Sequence, residues 1–465
     1  MKWIDIKTGL QEFWNELKEV KFGIAGLILL FIFILIVFIN PYIVPFPEGS
    51  SRWRDIGYWV DNPRSVPPVW VNWFSSLKYT PSLTVHDYSI SEEQIGGMKI
   101  KEVTFYYNYS YDIPPTDIIF HCHYQGSPVI IFSMERPDNE VIELIKKPLS
   151  LSEGEKIRLA IGRASKIEAY NFASKFDREE DRISRDMVVP TKIFFSEAKV
   201  GIFRNPIPLK GVYKVTAMII LPGEDDRVED AHLSFLGSVS GLLGTDNSRR
   251  DIWSGIAAGM KWALIIGSLT ALISVSVGVI YGVTSAYLGG WQDALMQRIF
   301  EIFRSVPLLP LLIVMSAVFK PNIWALIFMM CIFFWVGPVK TVRSIGLQIK
   351  EETFIEASRA FGASSSRIIF KHMVPLLIPY AFAMMALYIP GAILYEATIS
   401  LLGLGDATVV TWGQILHDAM TEGAVLQGMW WWVVPPGLSI ALVGMTFAFI
   451  GFAMDKILHP KLRTR

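Results

Sequence analysis

The chain has 465 residues, of which 52% are hydrophobic and 18% charged, and its 43 Lys and Arg residues balance 43 Asp and Glu residues. This composition departs from that of a soluble enzyme and indicates a membrane protein. The zero net charge gives no reason to expect a nucleic-acid partner. Of the two cysteines, Cys122 lies in a polar region and Cys331 in an apolar run, so no disulfide is expected.

The first 45 residues predict a helix on the membrane surface followed by a membrane-spanning helix. Several large apolar side chains before residue 20 fall near one helical face: Trp3, Ile6, Leu10, Phe13, Trp14 and Leu17. This pattern favours an interfacial helix on the cytoplasmic leaflet, although a solvated helical leader also fits it. The apolar run from Phe22 to Val44 is too long for a signal-peptide core and is expected to remain as an anchor.

Six apolar runs approach the length that crosses a hydrocarbon layer. They cover residues 23–45, 260–288, 306–320, 322–338, 376–402 and 431–454. A tight turn from Phe319 to Asn322 separates the third run from the fourth, because Pro321 cannot continue the preceding helix. The sequence therefore predicts a polytopic α-helical membrane protein with six transmembrane helices.

The distribution of Lys and Arg predicts the orientation of these spans. Residues 403–429 contain neither, whereas the loop after the fourth span and the C-terminus are basic: Lys340, Arg343, Lys350, Arg359, Arg367, Lys371, Lys456, Lys461, Arg463 and Arg465. Both termini are therefore expected in the cytoplasm of a multi-pass protein of the cell membrane. The long segment that begins at residue 46 is expected outside.

Residues 46–240 are predicted to form an extracytoplasmic β-rich insert between the first and second spans. Short β-rich runs, separated by Pro, Gly, Asp and Asn, cover residues 101–113, 116–124, 127–134, 191–203 and 211–221. They predict an antiparallel sandwich, interrupted by a more helical stretch from Ser152 to Phe176. The last run, which carries Tyr213, is similar to the tyrosine-bearing strand of immunoglobulin-like sandwiches.

Two histidines in this insert form a weak metal-ligand pattern. His121 and His123 would lie on one face of a predicted strand, but two ligands without a third are too few for a metal site. The simpler interpretation is a strand with a buried Cys122 and partly exposed histidines, and no metal is predicted. The sequon at Asn108 lies on the predicted outer side, and the sequence leaves its glycosylation open.

The basic loop between the fourth and fifth spans keeps a helical period. Five residues fall on one stripe: Phe354, Ile355, Ala357, Ala360 and Phe361. Gly362 permits a turn, and Ser364 is expected to cap a second short helix that carries Ile368, Ile369 and Met373 and ends at Pro375. Such an apolar stripe could rest on the membrane or dock into a partner protein.

The spacing within this loop resembles a known family signature. Glu356, Ala357 and Ser358, followed by Gly362 and Pro375, are similar to the EAA loop of ATP-binding-cassette import permeases. Two further stretches, "LLGTDNSRRD" before the second span and "LLGLGDATVVTWGQIL" after the fifth, resemble the LGTD and LGLG signatures of that family. Their order is that of the C-type permease subunit of dipeptide and oligopeptide importers. Arg249 departs from the pattern, since the family usually has Gly there, which leaves the conformation of that turn open.

The resemblance covers the first span loosely and residues 241–465 well, and it implies the type I permease fold of these importers. The chain thus divides into residues 1–45, the insert 46–240, which is not part of the family pattern, and a permease core 241–465. Within the core, the loop at about 339–375 would couple to the ATPase through Glu356, Ala357, Ser358, Gly362, Ala363, Ile369, His372 and Pro375. The implied partners are a homologous permease, two cytoplasmic ATPases and an extracytoplasmic solute-binding protein. ATP and magnesium would bind to the ATPases, because this chain has no G-x-x-x-x-G-K-[ST] loop. The chain itself is expected to be non-catalytic and without a cofactor.

An acidic residue within the fifth span is a second candidate site. Glu396 should face protein or a water-filled path rather than lipid. Together with Trp412 and Gly413 of the LGLG stretch, it is a candidate for the translocation path or its outer gate. A structural hydrogen bond to a neighbouring helix is the other interpretation.

The sequence leaves several alternatives open. Peptides lead as the solute, with oligosaccharides or nickel as alternatives within the same importer class. An ion-coupled secondary transporter would need more ionisable residues within its spans, and a membrane-tethered β-sandwich sensor would need only one anchor. For the insert, docking of the solute-binding protein and a passive cap on the permease both remain possible.

Overall fold

The computed structural model describes residues 16–46, 49–95, 98–126, 128–148, 155–223, 226–319 and 322–458. The predicted interfacial face at residues 3–14, the centre of the predicted turn at 320–321 and the C-terminal cations after residue 458 lie outside these ranges. The chain forms two compact units, one of residues 1–53 and 253–465 and one of residues 54–252. Residues 241–252, assigned to the permease core from the sequence, belong to the second unit.

The helices are, in chain order, α1 (Lys21–Ile43), α2 (Gly49–Arg52), α3 (Val71–Phe74), α4 (Arg163–Ala173), α5 (Pro190–Phe194), α6 (Ile252–Leu288), α7 (Gly290–Ser305), α8 (Leu308–Val318), α9 (Ile323–Phe334), α10 (Val336–Lys350), α11 (Thr353–Ala360), α12 (Ser365–Leu401), α13 (Trp412–Thr421) and α14 (Trp430–Leu458). The strands are β1 (Leu83–Val85), β2 (Tyr88–Ile95), β3 (Met98–Tyr109), β4 (Asp117–Gln125), β5 (Val129–Glu135), β6 (Val141–Pro148), β7 (Glu155–Arg158), β8 (Gly211–Leu221) and β9 (Arg227–Leu236).

Five stretches of helix in the described chain are long and apolar enough to cross a membrane: α1, α6, α9 continued by α10, α12 and α14. The predicted third span is α8, which has 11 residues. At about 1.5 Å per residue it is too short to cross alone. It meets α7 at an angle of 74°, and only the bent pair together could form a sixth span. The six predicted spans therefore correspond to five long helices, or to six spans if the bent pair α7–α8 forms one.

Small residues allow the first helix to pack closely against the last. A side chain at Gly23 would lie 2.6 Å from the Ala453 side chain, and one at Gly26 would lie 2.9 Å from Ile450. The rings of Phe22 and Phe449 lie 5.4 Å apart beside this contact. Close helix approach through glycine is typical of packing inside membranes.

The second unit contains two antiparallel sheets. One has the strand order β1-β9-β4-β7 and the other the order β2-β3-β8-β5-β6. Aromatic side chains from the two sheets meet in the core: Tyr107 stacks on Phe235 at 3.9 Å, and the rings of Phe105 and Phe120 lie 6.2 Å apart. The predicted sandwich is therefore present, and its inner faces follow the two-residue period of the strands.

Two details of the sandwich test particular sequence interpretations. The Tyr213 hydroxyl donates to the Leu209 carbonyl at 2.7 Å, the backward contact of a tyrosine corner. The predicted strand at 191–203 is wrong, because Pro190 begins the short helix α5 there. Proline is favoured at the first helical position, where no backbone N–H is needed, and this overrides the β propensity of the residues that follow.

The pairing of β4 with β9 is irregular between the two histidines of β4. Cys122 is buried as predicted, and the register with β9 shifts between His121 and His123. His121 stacks on His232 at 4.6 Å, whereas His123 approaches Asp230 at 3.6 Å. The bulge thus directs the two imidazoles to different neighbours.

Candidate coupling surface

The end of α11 and the start of α12 form the turn expected from the sequence. Gly362 has φ +79°, its N–H donates to the Arg359 carbonyl at 2.9 Å, and the N–H of Ala363 donates to the Ser358 carbonyl at 3.0 Å. This is the Schellman arrangement that closes a helix at a left-handed glycine. The Ser364 hydroxyl then accepts from the N–H of Arg367 at 3.3 Å and caps α12.

The second short helix of the loop is continuous with the following span. α12 runs from Ser365 to Leu401 without a stop at Pro375, so the predicted end at that residue is wrong. Residues Ile368–Met373 form a π-helical segment just before the proline. A wider turn there relieves the clash between a proline ring and the carbonyl of the preceding turn, and the helix continues.

One face of this surface is packed against its own unit. Ile355 of α11 and three residues of α12, Ile368, Ile369 and Met373, are buried in one apolar cluster with residues of α6 and α10. The α6 and α10 members include Val279, Val283, Tyr287 and Val342. The inner side chains therefore fix the loop to the ends of two long helices.

The other face of the loop exposes large aromatic side chains. Phe361 is 92% exposed, and Phe354 and Phe370 are also exposed. The sequence placed Phe361 on one stripe with Ile355, but α11 ends at Ala360, and the turn that follows directs the ring away from the packed side. Burial of Ile355 and exposure of Phe361 thus divide the predicted stripe between two faces. We call residues 353–375 the coupling surface.

The predicted coupling residues divide in the same way. Glu356, Ala357, Gly362 and Pro375 are exposed, and Ile369 is buried. Ser358, Ala363 and His372 are half-buried. Seven of the eight are therefore at least partly exposed, and Ile369 lies on the packed side of the segment.

Polar contacts that the sequence did not single out support this segment. Arg343 of α10 donates from Nε to Oδ1 of Asp293 on α7 at 2.8 Å, and Ser285 of α6 also donates to that carboxylate. The Arg359 guanidinium lies 5.6 Å from the centre of the Tyr287 ring, a cation–π contact between α11 and α6. In the sequence, the only sign of these contacts is the presence of charged residues next to apolar spans. Which of them pair depends on how α6, α7 and α10 pack.

Glu396 lies on α12, and Trp412 and Gly413 begin α13, which packs against α12. Glu396 is 4% exposed, and its Oε1 accepts from the Ser400 hydroxyl at 2.7 Å. The Trp412 ring nitrogen donates to the Ile256 carbonyl of α6 at 3.0 Å. Gly413 lies against Ala397, so closely that a side chain there would come within 2.7 Å of the Ala397 Cα atom. The three residues are buried, and the bond from Ser400 to Glu396 lies within α12, so it does not join Glu396 to a neighbouring helix.

The LGLG stretch holds the start of α9 in place. Gly403 has φ +79° and closes α12. The Asp406 carboxylate then accepts from the backbone N–H of Ile323, the first residue of α9, at 2.9 Å. A carboxylate at a helix N-terminus satisfies an unpaired donor and interacts favourably with the helix dipole.

The LGTD stretch, in the second unit, is organised by Asp246. Its Oδ1 accepts from the N–H groups of Ser248 and Arg250, both at 2.8 Å. Burial raises the pKa of the Asp246 carboxyl, and the charge of Arg250 opposes that shift. Arg249 has φ +68°, so the turn keeps the left-handed conformation that glycine favours. Its guanidinium donates to the Asn62 carbonyl at 2.7 Å, and this contact holds the residue in place.

Comparison with known proteins gives two matches to family models. "Binding-protein-dependent transport system inner membrane component" matches residues 274–464, and "N-terminal TM domain of oligopeptide transport permease C" matches residues 8–58. The two matches leave residues 59–273 between them. That interval contains all the strands of the second unit.

Individual relatives resemble a larger part of the chain. The dipeptide transport system permease protein DppC of Bacillus subtilis is 30% identical over 296 residues, which are 62% of this chain and 91% of the relative. The oligopeptide transport system permease protein OppC of Haemophilus influenzae is 31% identical over 294 residues, 61% of this chain and 93% of the relative. Among solved structures, the inward-facing MetNI methionine ABC transporter matches with a TM-score of 0.34 and 21% identity, covering 44% of this chain and 95% of that one.

Proposed function

Because this chain belongs to the family of binding-protein-dependent transport system inner-membrane components, we propose that it carries dipeptides and oligopeptides as the permease subunit of an ATP-driven importer. The protein is a multi-pass membrane protein of that family. The names of its relatives, dipeptide and oligopeptide permeases, support peptides as the solute class.

The observation that carries this proposal is the division of the coupling surface into two faces. Ile355 is buried against α6 and α10, while Phe361, six residues later, is 92% exposed. An exposed aromatic ring on a segment anchored to long helices suits a groove of a partner protein. We assign that groove to the ATPase subunits, with ATP and magnesium bound there and not in this chain.

In this mechanism the coupling surface transmits motion. When ATP closes the two ATPase subunits, they would displace α11 and the first turn of α12. Because the inner residues of the coupling surface pack against α6 and α10, these helices would move with it. The spans would then switch the pathway between outward and inward access. The assembly would contain a second, homologous permease and an external solute-binding protein, with both termini of this chain in the cytoplasm.

For the insert we propose a role in docking the solute-binding protein on the extracytoplasmic side. Its support is that residues 83–236 form a complete sandwich with its own aromatic core. If the insert is a docking site, replacing residues 54–240 with a short flexible linker will reduce uptake driven by the binding protein. Undiminished uptake by that variant would leave the insert as a passive cap.

The experiment that tests the importer role uses the whole complex. This chain is tagged and co-expressed with its neighbouring permease, ATPase and binding-protein genes, and the purified complex is placed in proteoliposomes. Phe361→Asp places a charge in the proposed apolar contact with the ATPase, and burying an unpaired charge there would be strongly unfavourable. We expect the co-purified ATPase and the uptake of a labelled dipeptide to fall at least tenfold.

The matched control is Leu426→Asp, which changes a side chain that is 94% exposed on the segment after α13. We expect it to retain both the ATPase and uptake. Equal retention of the ATPase by both variants would overturn the assignment of the coupling surface. Uptake of nickel or an oligosaccharide but of no peptide by the native complex would overturn the solute class.

A further inference from the structure

A groove of about 330 Å³ opens on the first unit between the junction of α9 with α10 and the middle of α12. Its lining residues are Phe333, Phe334, Gly337, Leu387, Tyr388 and Gly391. The volume lies at the small end of the range for small-molecule sites, which is about 300 to 1,000 Å³. It is the size of one or two amino-acid side chains and not of a helix.

The groove lies within two candidate spans. Tyr388 is the 24th residue of the 37-residue span Ser365–Leu401, and Phe334 is the twelfth of the 28-residue span Ile323–Lys350. α9 and α10 join at Trp335, whose backbone keeps the helical conformation, and Pro390 lies inside the continuous helix α12. Both walls of the groove are therefore helical.

The walls of the groove are aromatic, with one polar group. The rings of Phe334 and Tyr388 lie 6.2 Å apart, and those of Phe334 and Tyr395 lie 5.3 Å apart. The Tyr388 hydroxyl lies directly over Gly337, where a side-chain carbon would come within 1.5 Å of it. Among the described residues, this hydroxyl has no hydrogen-bond partner.

These features distinguish between the possible occupants. A lipid tail cannot accept a hydrogen bond, and a hydroxyl left unpaired in hydrocarbon is costly. A neighbouring transmembrane helix packs closely where small residues face it. The groove has two glycines, but the Tyr388 side chain covers Gly337, so only Gly391 would face such a helix. A guest with an apolar side chain and a backbone carbonyl fits both the rings and the hydroxyl.

We propose that this groove is the solute-contact site of the chain, and that it receives an apolar or aromatic side chain of the transported peptide while the Tyr388 hydroxyl donates to a peptide carbonyl. This inference rests on the proposed function and adds a site to it. Gly391 keeps the groove open, since a side chain there would meet nothing within 4 Å. A larger residue at this position should therefore fill the groove without a clash inside this chain.

The test compares Gly391→Phe with Gly437→Phe in the complete complex in proteoliposomes. Gly437 of α14 also lies in open space, since a side-chain carbon added there would meet nothing within 4 Å, and it does not line the groove. The probes are labelled dialanine and diphenylalanine. We expect Gly391→Phe to lower diphenylalanine uptake at least tenfold and dialanine uptake less than threefold, and Gly437→Phe to leave the ratio of the two unchanged.

A second variant, Tyr388→Phe, keeps the ring and removes the hydroxyl. Since the hydroxyl binds the peptide backbone, we expect the KM for both dipeptides to rise about threefold to tenfold, without a change in their ratio. The groove proposal would be overturned if the KM is unchanged in Tyr388→Phe and the uptake ratio is unchanged in Gly391→Phe. In that case, peptide uptake by the native complex would still uphold the proposed function.

Two other outcomes would also overturn the groove proposal. Loss of the second permease from the purified Gly391→Phe complex would identify the groove as a packing surface between permeases. Absence of any peptide uptake by the native complex would overturn the proposed function, and the peptide site with it.

Discussion

Arg343 and Asp293 form a two-point ion pair that joins α10 to α7, with Nε to Oδ1 at 2.8 Å and the second guanidinium nitrogen to Oδ2 at 2.5 Å. Ser285 of α6 donates to the same carboxylate. Three helices therefore meet at one carboxyl group. Bidentate pairs of this kind fix orientation as well as distance.

Replacement of Arg343 by alanine should destabilise the protein by about 2 kcal/mol, because it leaves a half-buried carboxylate without its cation. The side chains of Arg343 and Asp293 are only 30% and 16% exposed. The control is Arg298→Ala, which breaks the pair with Glu301 on the same helix as Asp293, where the side chains are 79% and 54% exposed. That change should cost less than about 0.5 kcal/mol. Thermal unfolding of the full chain in detergent measures both, and equal shifts would contradict the role of the α7–α10 pair.

Gly362 should tolerate asparagine better than alanine. A side chain there meets nothing within 4 Å, so the cost of substitution comes from its φ of +79°. Alanine in the left-handed region costs about 1 kcal/mol, and asparagine adopts it more readily. We expect dipeptide uptake to fall more for Gly362→Ala than for Gly362→Asn. The same uptake for both variants would show that the closing turn of α11 does not position the coupling surface.

Gly413→Ala should weaken the contact between α12 and α13. The added carbon would lie 2.7 Å from both the Ala397 Cα atom and the Ser400 Cβ atom. Overpacking of this degree typically costs about 1 to 3 kcal/mol. Gly437→Ala is the control, because its site is open and alanine is the better helix former there. A lowered thermal midpoint for the first variant and not for the second is expected, and the reverse order would contradict the close approach.

The stability of the second unit should fall in acid through Asp138. Burial would raise the pKa of this carboxyl, but the hydrogen bond and charge of Arg136 outweigh it and hold the pKa below its ordinary value of 3.8. A carboxyl with a lowered pKa stabilises the folded state above pH 3.8, and the effect is lost as the pH falls through the folded pKa. The native protein should therefore lose this contribution below about pH 4.

Asp138→Asn removes that pH dependence and leaves the fully buried Arg136 side chain without its carboxylate partner. We expect pepsin to cleave the second unit of the full-length variant faster than that of the native protein. The difference between the two cleavage rates should shrink from pH 5 to pH 2, because the native protein loses the Asp138 contribution over that range. Glu197→Gln, on the exposed pair with Lys199, serves as the control and should follow the native rate. A constant ratio of variant to native rates across this range would contradict the contribution of Asp138.

Local features of the chain were predictable because they depend on neighbours in sequence. The cap at Ser364 and the left-handed turn at Gly362 involve hydrogen bonds over three to five residues, and both follow from residue type. The apolar runs identified the long helices in the same way. The errors arose where one local preference competed with another, as at Pro190 and at the π-helical turn before Pro375.

Residue types and their spacing were enough to indicate a polytopic membrane protein with a β-rich insert, since apolar length and turn residues are properties of short segments. The permease assignment came from the resemblance of three short stretches to a known family. Folding of the whole chain was needed to divide the EAA-type loop between a buried Ile355 and an exposed Phe361. It also pairs Asp293 with Arg343, 50 residues apart, and places Phe334 beside Tyr388. Such contacts depend on how helices pack, and helix packing is set by the complementary shape of many side chains at once, which no single segment encodes.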